Sequence, residues 1–131
     1  INRGSKSGIL KGMPVLDKEF LVGRVVETNY LSSRVLLLND LNSRIPVTFG
    51  EEGVQAILKG SGGSRPVLEY LPEGYVVEEG VKVFTSGKDR IFLPGSPIGI
   101  TAEKGQVKLF SESSQLSFVK VDLSKQKKEV F

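Results

Sequence analysis

The feature that most constrains this chain is its rhythm. Residues 21–49 read LVGRVVETNYLSSRVLLLNDLNSRIPVTF. The apolar runs are short, and Gly, Pro, Asn, Asp or Ser interrupts each one. No window sustains the 3.6-residue apolar period of an amphipathic helix. Short runs rich in β-branched residues, bounded by turn residues, predict an all-β protein.

The runs resolve into candidate strands. EFLVGRVVET (19–28) puts Leu21, Gly23 and Val25 on one face and Val22, Arg24 and Val26 on the other. Asn29 and the Ser32-Ser33 pair supply a short hairpin connection. SRVLLLND (33–40) is nearly continuous in apolar residues, as in a strand buried on both faces. SRIPVTF (43–49) contains Pro46, which has no N–H for a ladder and predicts an edge or a bulge. VQAILKG (54–60) alternates Val54, Ala56 and Leu58 against Gln55, Ile57 and Lys59. PVLEYLP (66–72), VKVFTSG (81–87), PIGIT (97–101), QVKLF (106–110) and QLSFVKVDL (115–123) complete the series. In the last, Leu116 and Phe118 face opposite to Val119, Val121 and Leu123, which a bulge near Phe118 or burial of both faces would reconcile. GSKSGILKGM (4–13) is too rich in glycine for a helix and predicts tight turns with one short strand. A single sandwich or two small barrels would house such strands, and periodicity does not choose between them.

Composition removes whole classes of chemistry. The 131 residues contain no Cys and no His, so disulfides, zinc fingers, thiol nucleophiles and imidazole catalysis are excluded. No apolar run approaches the roughly 20 residues that span a bilayer as a helix. The start on INRG, without an initiator Met, is read as that of a fragment. Net charge is +3, and Lys125, Lys127, Lys128 and Glu129 carry +2 of it, which leaves 15 basic against 14 acidic residues elsewhere. A nucleic-acid surface needs a concentrated basic stripe with stacking aromatics or a recognition motif, and neither is present. The KQKK run reads as a solvated tail or as an exit toward a further segment.

The remaining candidates for chemistry are weak. Ser86 sits in Thr-Ser-Gly, but a serine nucleophile needs a base. Without His, only Lys59, Lys82 or Lys88 could serve, and no spacing singles one out. GSGGS (60–64) and RGSKSG (3–8) match neither phosphate-loop pattern. Glu51-Glu52 and Glu78-Glu79 are adjacent pairs, which a strand sends to opposite faces and a loop leaves solvated; glycosidase chemistry needs carboxyls about 5–10 Å apart across a cleft. Asn39, Asp40 and Asn42 lack the spacing and terminal Glu of a calcium loop. No catalytic, cofactor or metal residue is therefore expected. Tyr30, Tyr70 and Tyr75, with Phe84 and Phe92, could line an interaction surface, where amphipathic aromatics are enriched. The competing reading is core, favoured for Phe84 and evenly balanced for Tyr75.

The stretch FTSGKDRIFLPGSPIGI (84–100) carries a resemblance to a known family. Thr85-Ser86-Gly87 is followed by Phe92-Leu93-Pro94-Gly95-Ser96-Pro97-Ile98-Gly99, similar to the Thr-Ser-Gly … Phe-Pro-x-Gly-x-Pro-x-Gly pattern of the MreC family, with a tighter Pro–Gly spacing. NRGSKSGILKGMPV (2–15), LVGRVVE (21–27), SSRVLLLNDLNSRIPV (32–47), ILKGSG (57–62), LEYLP (68–72) and VEEG (77–80) fall in family order, and Val81 stands where the family commonly has Asp.

The resemblance implies two small barrel-like β subdomains, the second inserted into the first. On this chain that gives an outer unit of residues 1–43 and 95–131 and an inserted unit of residues 44–94. Thr85, Ser86, Gly87, Pro94, Gly95, Pro97 and Gly99 would form a stiff return from the inserted unit. The implied function is that of a non-catalytic scaffold. It would bind the elongation-specific penicillin-binding transpeptidase, self-associate, and work with MreD and MreB at the extracytoplasmic face of the bacterial inner membrane. An N-terminal transmembrane helix outside this sequence would anchor it. Tyr70, Tyr75 and Phe92 are the candidate partner contacts. The competing functions are a two-barrel hydrolase using a Ser–Lys pair and a generic β carbohydrate-binding domain.

Overall fold

Alternation at period 2 becomes ten strands in the computed structural model, which describes residues 1, 3–17, 20–88, 94–111 and 120–121. The strands are β1 (Pro14–Asp17), β2 (Phe20–Thr28), β3 (Ser33–Leu37), β4 (Arg44–Phe49), β5 (Val54–Lys59), β6 (Val67–Glu69), β7 (Lys82–Thr85), β8 (Pro97–Thr101), β9 (Val107–Leu109) and β10 (Lys120–Val121). All pairings are antiparallel. They form a four-stranded sheet, β10-β1-β2-β3, and a six-stranded sheet, β6-β5-β4-β7-β8-β9. The four-stranded sheet gathers both ends of the chain, and the six-stranded sheet lies between them in sequence.

The six-stranded sheet curls until its two edges meet. Val67 of β6 lies opposite Gln106, and the Val107 amide donates to the Pro66 carbonyl at 2.9 Å. This nearly closes a barrel and removes most of its exposed edge. The four-stranded sheet is not barrel-shaped, which corrects the expectation of two barrel-like units. Closure would require β3 to meet β10, and these two strands sit at opposite edges of the sheet with β1 and β2 between them.

Burial follows the alternation where one face is covered. Ile45, Val47 and Phe49 of β4 point into the barrel with Ala56, Leu58, Leu68, Val83, Ile98 and Val107. Leu21 of β2 and Leu38, just beyond β3, join this same core. The barrel is thus sealed against the four-stranded sheet by shared apolar burial, which contributes roughly 25 cal/mol per Å² covered. A second, smaller cluster joins Ile9 and Met13 of the segment before β1 to Val15 and Val25 of the four-stranded sheet, with Val35 against it.

Three local expectations change. β3 is not buried on both faces: it is an edge strand, Arg34 is exposed, and Leu37 is 46% exposed. Pro46 lies on an interior strand between β5 and β7. Its carbonyl accepts from the Ser86 amide at 3.1 Å, one residue past the end of β7, so the missing N–H faces the end of that ladder, where little pairing is lost. Residues 4–13 hold a 3₁₀ turn (Ser5–Ser7) and no strand. Their backbone instead docks on the β2–β3 hairpin, with Ser5 and Lys6 donating to Asn29 and Tyr30 at 2.8 and 3.0 Å. The Asn29 amide closes that hairpin on the Ser32 carbonyl at 2.7 Å. Of the expected strand over 115–123, residues 120–121 pair with β1; Leu116, Phe118 and Val119 lie outside the described residues.

Candidate functional site

The Thr85–Gly99 segment is a hairpin staple. Thr85 ends β7 and is almost wholly buried. Its amide donates to the Ser96 carbonyl at 2.9 Å, its carbonyl accepts from the Gly95 amide at 2.8 Å, and its hydroxyl accepts from the Ser96 amide at 2.9 Å. One residue thus ties down the returning strand through three groups, in a place where an unmet donor would be costly. The Ser86 hydroxyl accepts from the Lys88 amide at 3.3 Å, a turn contact within the loop. Gly87 has φ +77°, and a Cβ there would meet Pro94 Cδ at 2.9 Å. Gly99 has ordinary dihedrals, but a Cβ there would sit 2.3 Å from the Lys108 carbonyl oxygen of β9. Pro97 lies opposite Phe84 beside a bulge in the β7–β8 ladder. The structure therefore brings Thr85, Ser86, Gly87, Pro94, Gly95 and Pro97 together, with Gly99 farther along β8. They join two paired strands of one sheet rather than linking separate sheets.

Among the described aromatic candidates, Tyr30 and Tyr70 stand apart from Tyr75 and Phe84. Tyr70 follows β6 with φ +57° and is 74% exposed. Tyr75 is half-exposed at 37%, and its ring meets Phe49 edge-on, with centroids 5.9 Å apart. Phe92 lies outside the described residues. Tyr30 stands at the tip of the β2–β3 hairpin under the Lys6 ammonium, 5.9 Å from the ring centroid. Phe84, expected in the core, is half-buried.

Tyr75 and Phe84 instead share one groove of about 790 Å³. Apolar residues Val54, Tyr75, Val76, Val81 and Phe84 line it together with Gly50, Glu51, Glu52, Glu78 and Lys82. Three elements build it: the β4–β5 turn supplies Glu51 and Glu52, the β6–β7 loop supplies Tyr75, Val76 and Glu78, and β7 supplies Lys82 and Phe84. Val76 is 82% exposed, and Tyr70 does not line the groove.

Two further residues, Thr101 and Asn39, hold the loops. The buried Thr101 hydroxyl donates to the Glu78 carbonyl at 2.6 Å and accepts from the Val81 amide at 2.9 Å. Its backbone accepts from Gly80 and donates to the Val81 carbonyl, both at 2.8 Å. Thr101 therefore fixes the loop that carries Glu78. Asn39 does the same where the two sheets join. Its Oδ1 accepts from the Ser61 amide at 2.8 Å and the Ser61 hydroxyl at 3.0 Å, and its Nδ2 donates to the Ser64 carbonyl at 2.8 Å. GSGGS is thus an organised loop, held by the Asn39 side-chain amide and by backbone bonds from Gly60 to Ser43 and from Gly62 to Asn39. Only a polar residue at the end of an apolar run hinted at Asn39, and nothing hinted at Thr101. Among the described residues no group of His, Cys, Asp and Glu is arranged to hold a metal ion, and no helix is long and apolar enough to cross a membrane.

Comparison with known proteins completes the picture. The family model for the barrel core of the rod shape-determining protein MreC matches residues 1–126. The chain is 41% identical over 127 residues to the cell shape-determining protein MreC of Caulobacter vibrioides, an alignment that covers 93% of this chain and 36% of that protein. The crystal structure of MreC from Pseudomonas aeruginosa superposes with a TM-score of 0.71 at 35% identity, covering 82% of this chain and 72% of that one. A complex between a penicillin-binding protein (PBP2) and MreC from Helicobacter pylori contains the same fold, with a TM-score of 0.66 at 18% identity over 82% of this chain and 74% of that one. The chain spans little more than a third of the length of its Caulobacter relative. With a family match over almost every residue and the same architecture in a relative of 35% identity, this chain belongs to the MreC family of rod shape-determining proteins.

Proposed function

We propose that this chain is the extracytoplasmic β part of a non-catalytic scaffold for bacterial cell elongation. It binds the peptidoglycan transpeptidase, holds it in an active arrangement, and connects it through the rest of the protein to MreD and MreB. The observation that carries this reading is family membership over residues 1–126. The penicillin-binding protein bound to a MreC of the same fold supports the choice of partner. The Thr85–Gly99 staple and the Thr101 clamp support a rigid presenting surface, since groups ordered in advance lower the entropic cost of binding.

The site lies outside the inner membrane and is anchored by an N-terminal helix beyond this sequence. Self-association accompanies the scaffold role. The six-stranded barrel is an insertion into a unit made from both chain ends, a reading supported by the four-stranded sheet joining β1–β3 to β10. Because β8 and β9 pair within the barrel, this reading moves the boundary expected at 94/95 past Leu109.

Tyr70, Tyr75 and Phe92 are the contacts proposed from residue type, with Tyr75 best supported because it lines the groove. In surface plasmon resonance with the transpeptidase ectodomain, the 131-residue chain is expected to bind saturably. Tyr70→Ala, Tyr75→Ala and Phe92→Ala together are expected to weaken that binding by about tenfold or more, as loss of an aromatic anchor does. Unchanged affinity in the triple variant would remove the aromatic assignment. No binding by the parent chain would remove the scaffold reading.

A further inference from the structure

We propose that the groove between the β4–β5 turn and the β6–β7 loop is the docking site for a basic, apolar segment of a partner protein. In such a segment Lys or Arg residues flank two or three apolar side chains. The inference rests on the scaffold reading above and names the surface and the partner chemistry for it.

Four observations converge on this groove. Its floor is apolar and open: Tyr75 and Phe84 are only partly covered, and Val76 has the highest exposure of any large apolar residue described. Its rim is acidic. Among the described lining residues, Glu51, Glu52 and Glu78 stand against Lys82, so in a chain of net charge +3 these residues give the groove a local charge of −2. The three carboxylates take part in neither ion pair seen among the described residues, Glu27–Arg34 and Lys59–Glu69. The loops that display them are held in advance, by Thr101 beneath Glu78 and by Phe49 against Tyr75.

These features choose among occupants. An anionic membrane surface or a nucleic acid would be repelled by the three carboxylates. A purely apolar segment would cover the floor but leave the charged rim facing it. A basic, apolar segment satisfies both, with its aliphatic or aromatic side chains on Val76 and Phe84 and its cations on the glutamates. Pairs at such a rim chiefly raise the association rate and fix register, and they weaken with salt. Lys82 adds a register mark, because a partner cation placed beside it would be disfavoured.

The test measures binding of the transpeptidase ectodomain to three forms of the chain. These are the parent, E51Q/E52Q/E78Q, and a charge-matched control, E27Q/E69Q/E103Q, altered away from the groove. All six positions lie on the surface or are only partly buried, so folding is checked by circular dichroism and thermal melting. The groove variant is expected to bind at least about tenfold more weakly, mainly through slower association, and the control within about twofold. Raising salt from about 0.05 to about 0.5 M should weaken the parent strongly and the groove variant little. Val76→Ser, which leaves charge intact, should weaken binding through faster dissociation. Equal binding by parent and groove variant would overturn the groove assignment and leave the scaffold reading standing. No binding by the parent would overturn both. If the groove variant lost self-association but kept transpeptidase binding, the groove would be a surface between copies of this chain, and the proposal would fall.

Discussion

The six-stranded barrel and the four-stranded sheet use the same kind of strand and reach different degrees of closure. In the barrel, β6 and β9 meet, nine buried apolar side chains of its own strands fill one interior, and the Thr85 staple ties the β7–β8 hairpin. The four-stranded sheet has the small Ile9–Met13–Val15–Val25 cluster, and its β3 edge is covered near Ser33 by Ile1, through reciprocal backbone bonds of 2.6 and 3.0 Å. Closure lets each barrel side chain bury against several strands at once. An open sheet buries one face only against what happens to lie beneath it. Leu21 and Leu38 show the consequence, since both come from the four-stranded side and find their cover in the barrel core. The barrel is expected to behave as the stable unit and the four-stranded sheet as the dependent one.

The contrast can be broken most severely at Gly99. Gly99→Val would drive a branched side chain into the Lys108 carbonyl, which cannot move without parting β8 from β9. We expect a loss of about 4 kcal/mol or more, with global unfolding in urea at far lower concentration. If Gly99→Val kept its thermal stability, the packed-ladder account of this position would be wrong.

A paired truncation sharpens the comparison. Phe49→Ala empties the centre of the barrel and removes the support for Tyr75, with an expected cost of about 3–5 kcal/mol. Val25→Ala in the smaller cluster should cost about 2 kcal/mol, the lower range for loss of buried methyl groups. Hydrogen exchange separates the two. Phe49→Ala should lower protection in both sheets, whereas Val25→Ala should lower it mainly in β1–β3. Equal spread from both variants would show one cooperative unit with no dependent part.

The smallest effect belongs to the junction. Asn39→Ala removes four side-chain hydrogen bonds, one of them long at 3.5 Å, that bind the 60–64 loop to the segment after β3. Two of these lie at partly buried groups, so about 1–2 kcal/mol is expected, read as a modest fall in melting temperature with raised exchange at Ser61–Ser64. Protection unchanged at those amides would show that the backbone bonds of Gly60 and Gly62 suffice.

Much of this was legible in the chain. Alternation in 54–59 set Val54, Ala56 and Leu58 against Gln55, Ile57 and Lys59, and in the fold Ala56 and Leu58 are buried while Gln55 is exposed. Asn29 and Ser32 marked a hairpin, and the backbone bond between them forms it. Gly87 and Gly95 both take left-handed dihedrals, which glycine adopts at little steric cost. Pro46 misled because a missing N–H signals an edge only when a neighbour is there to miss it. β3 misled because four consecutive leucines and valines look alike whether a second layer covers them or water does.

The site was less legible than the fold. Residue type selected Tyr70, Tyr75 and Phe92 alike; of the two that are described, Tyr75 rests on a core ring beside a groove and Tyr70 does not. Glu51, Glu52 and Glu78 looked like unrelated solvated pairs because they lie on two connections far apart in sequence. Thr101 was silent and Asn39 nearly so, since a hydroxyl or an amide has no periodicity to betray which distant backbone it will meet.

By itself, the sequence determined the strands, their inward faces, the turns between many of them, and the absence of thiol and imidazole chemistry. Those follow from local sterics and from the period-2 geometry of a pleated strand. Tertiary structure alone decided that β8 and β9 belong with β4–β7, that β6 and β9 nearly close the barrel, and that three glutamates gather over an apolar floor. These depend on which strand lies beside which, and backbone hydrogen bonds between strands are nearly the same for any side chains. That choice rests on the combined burial of residues distant along the chain.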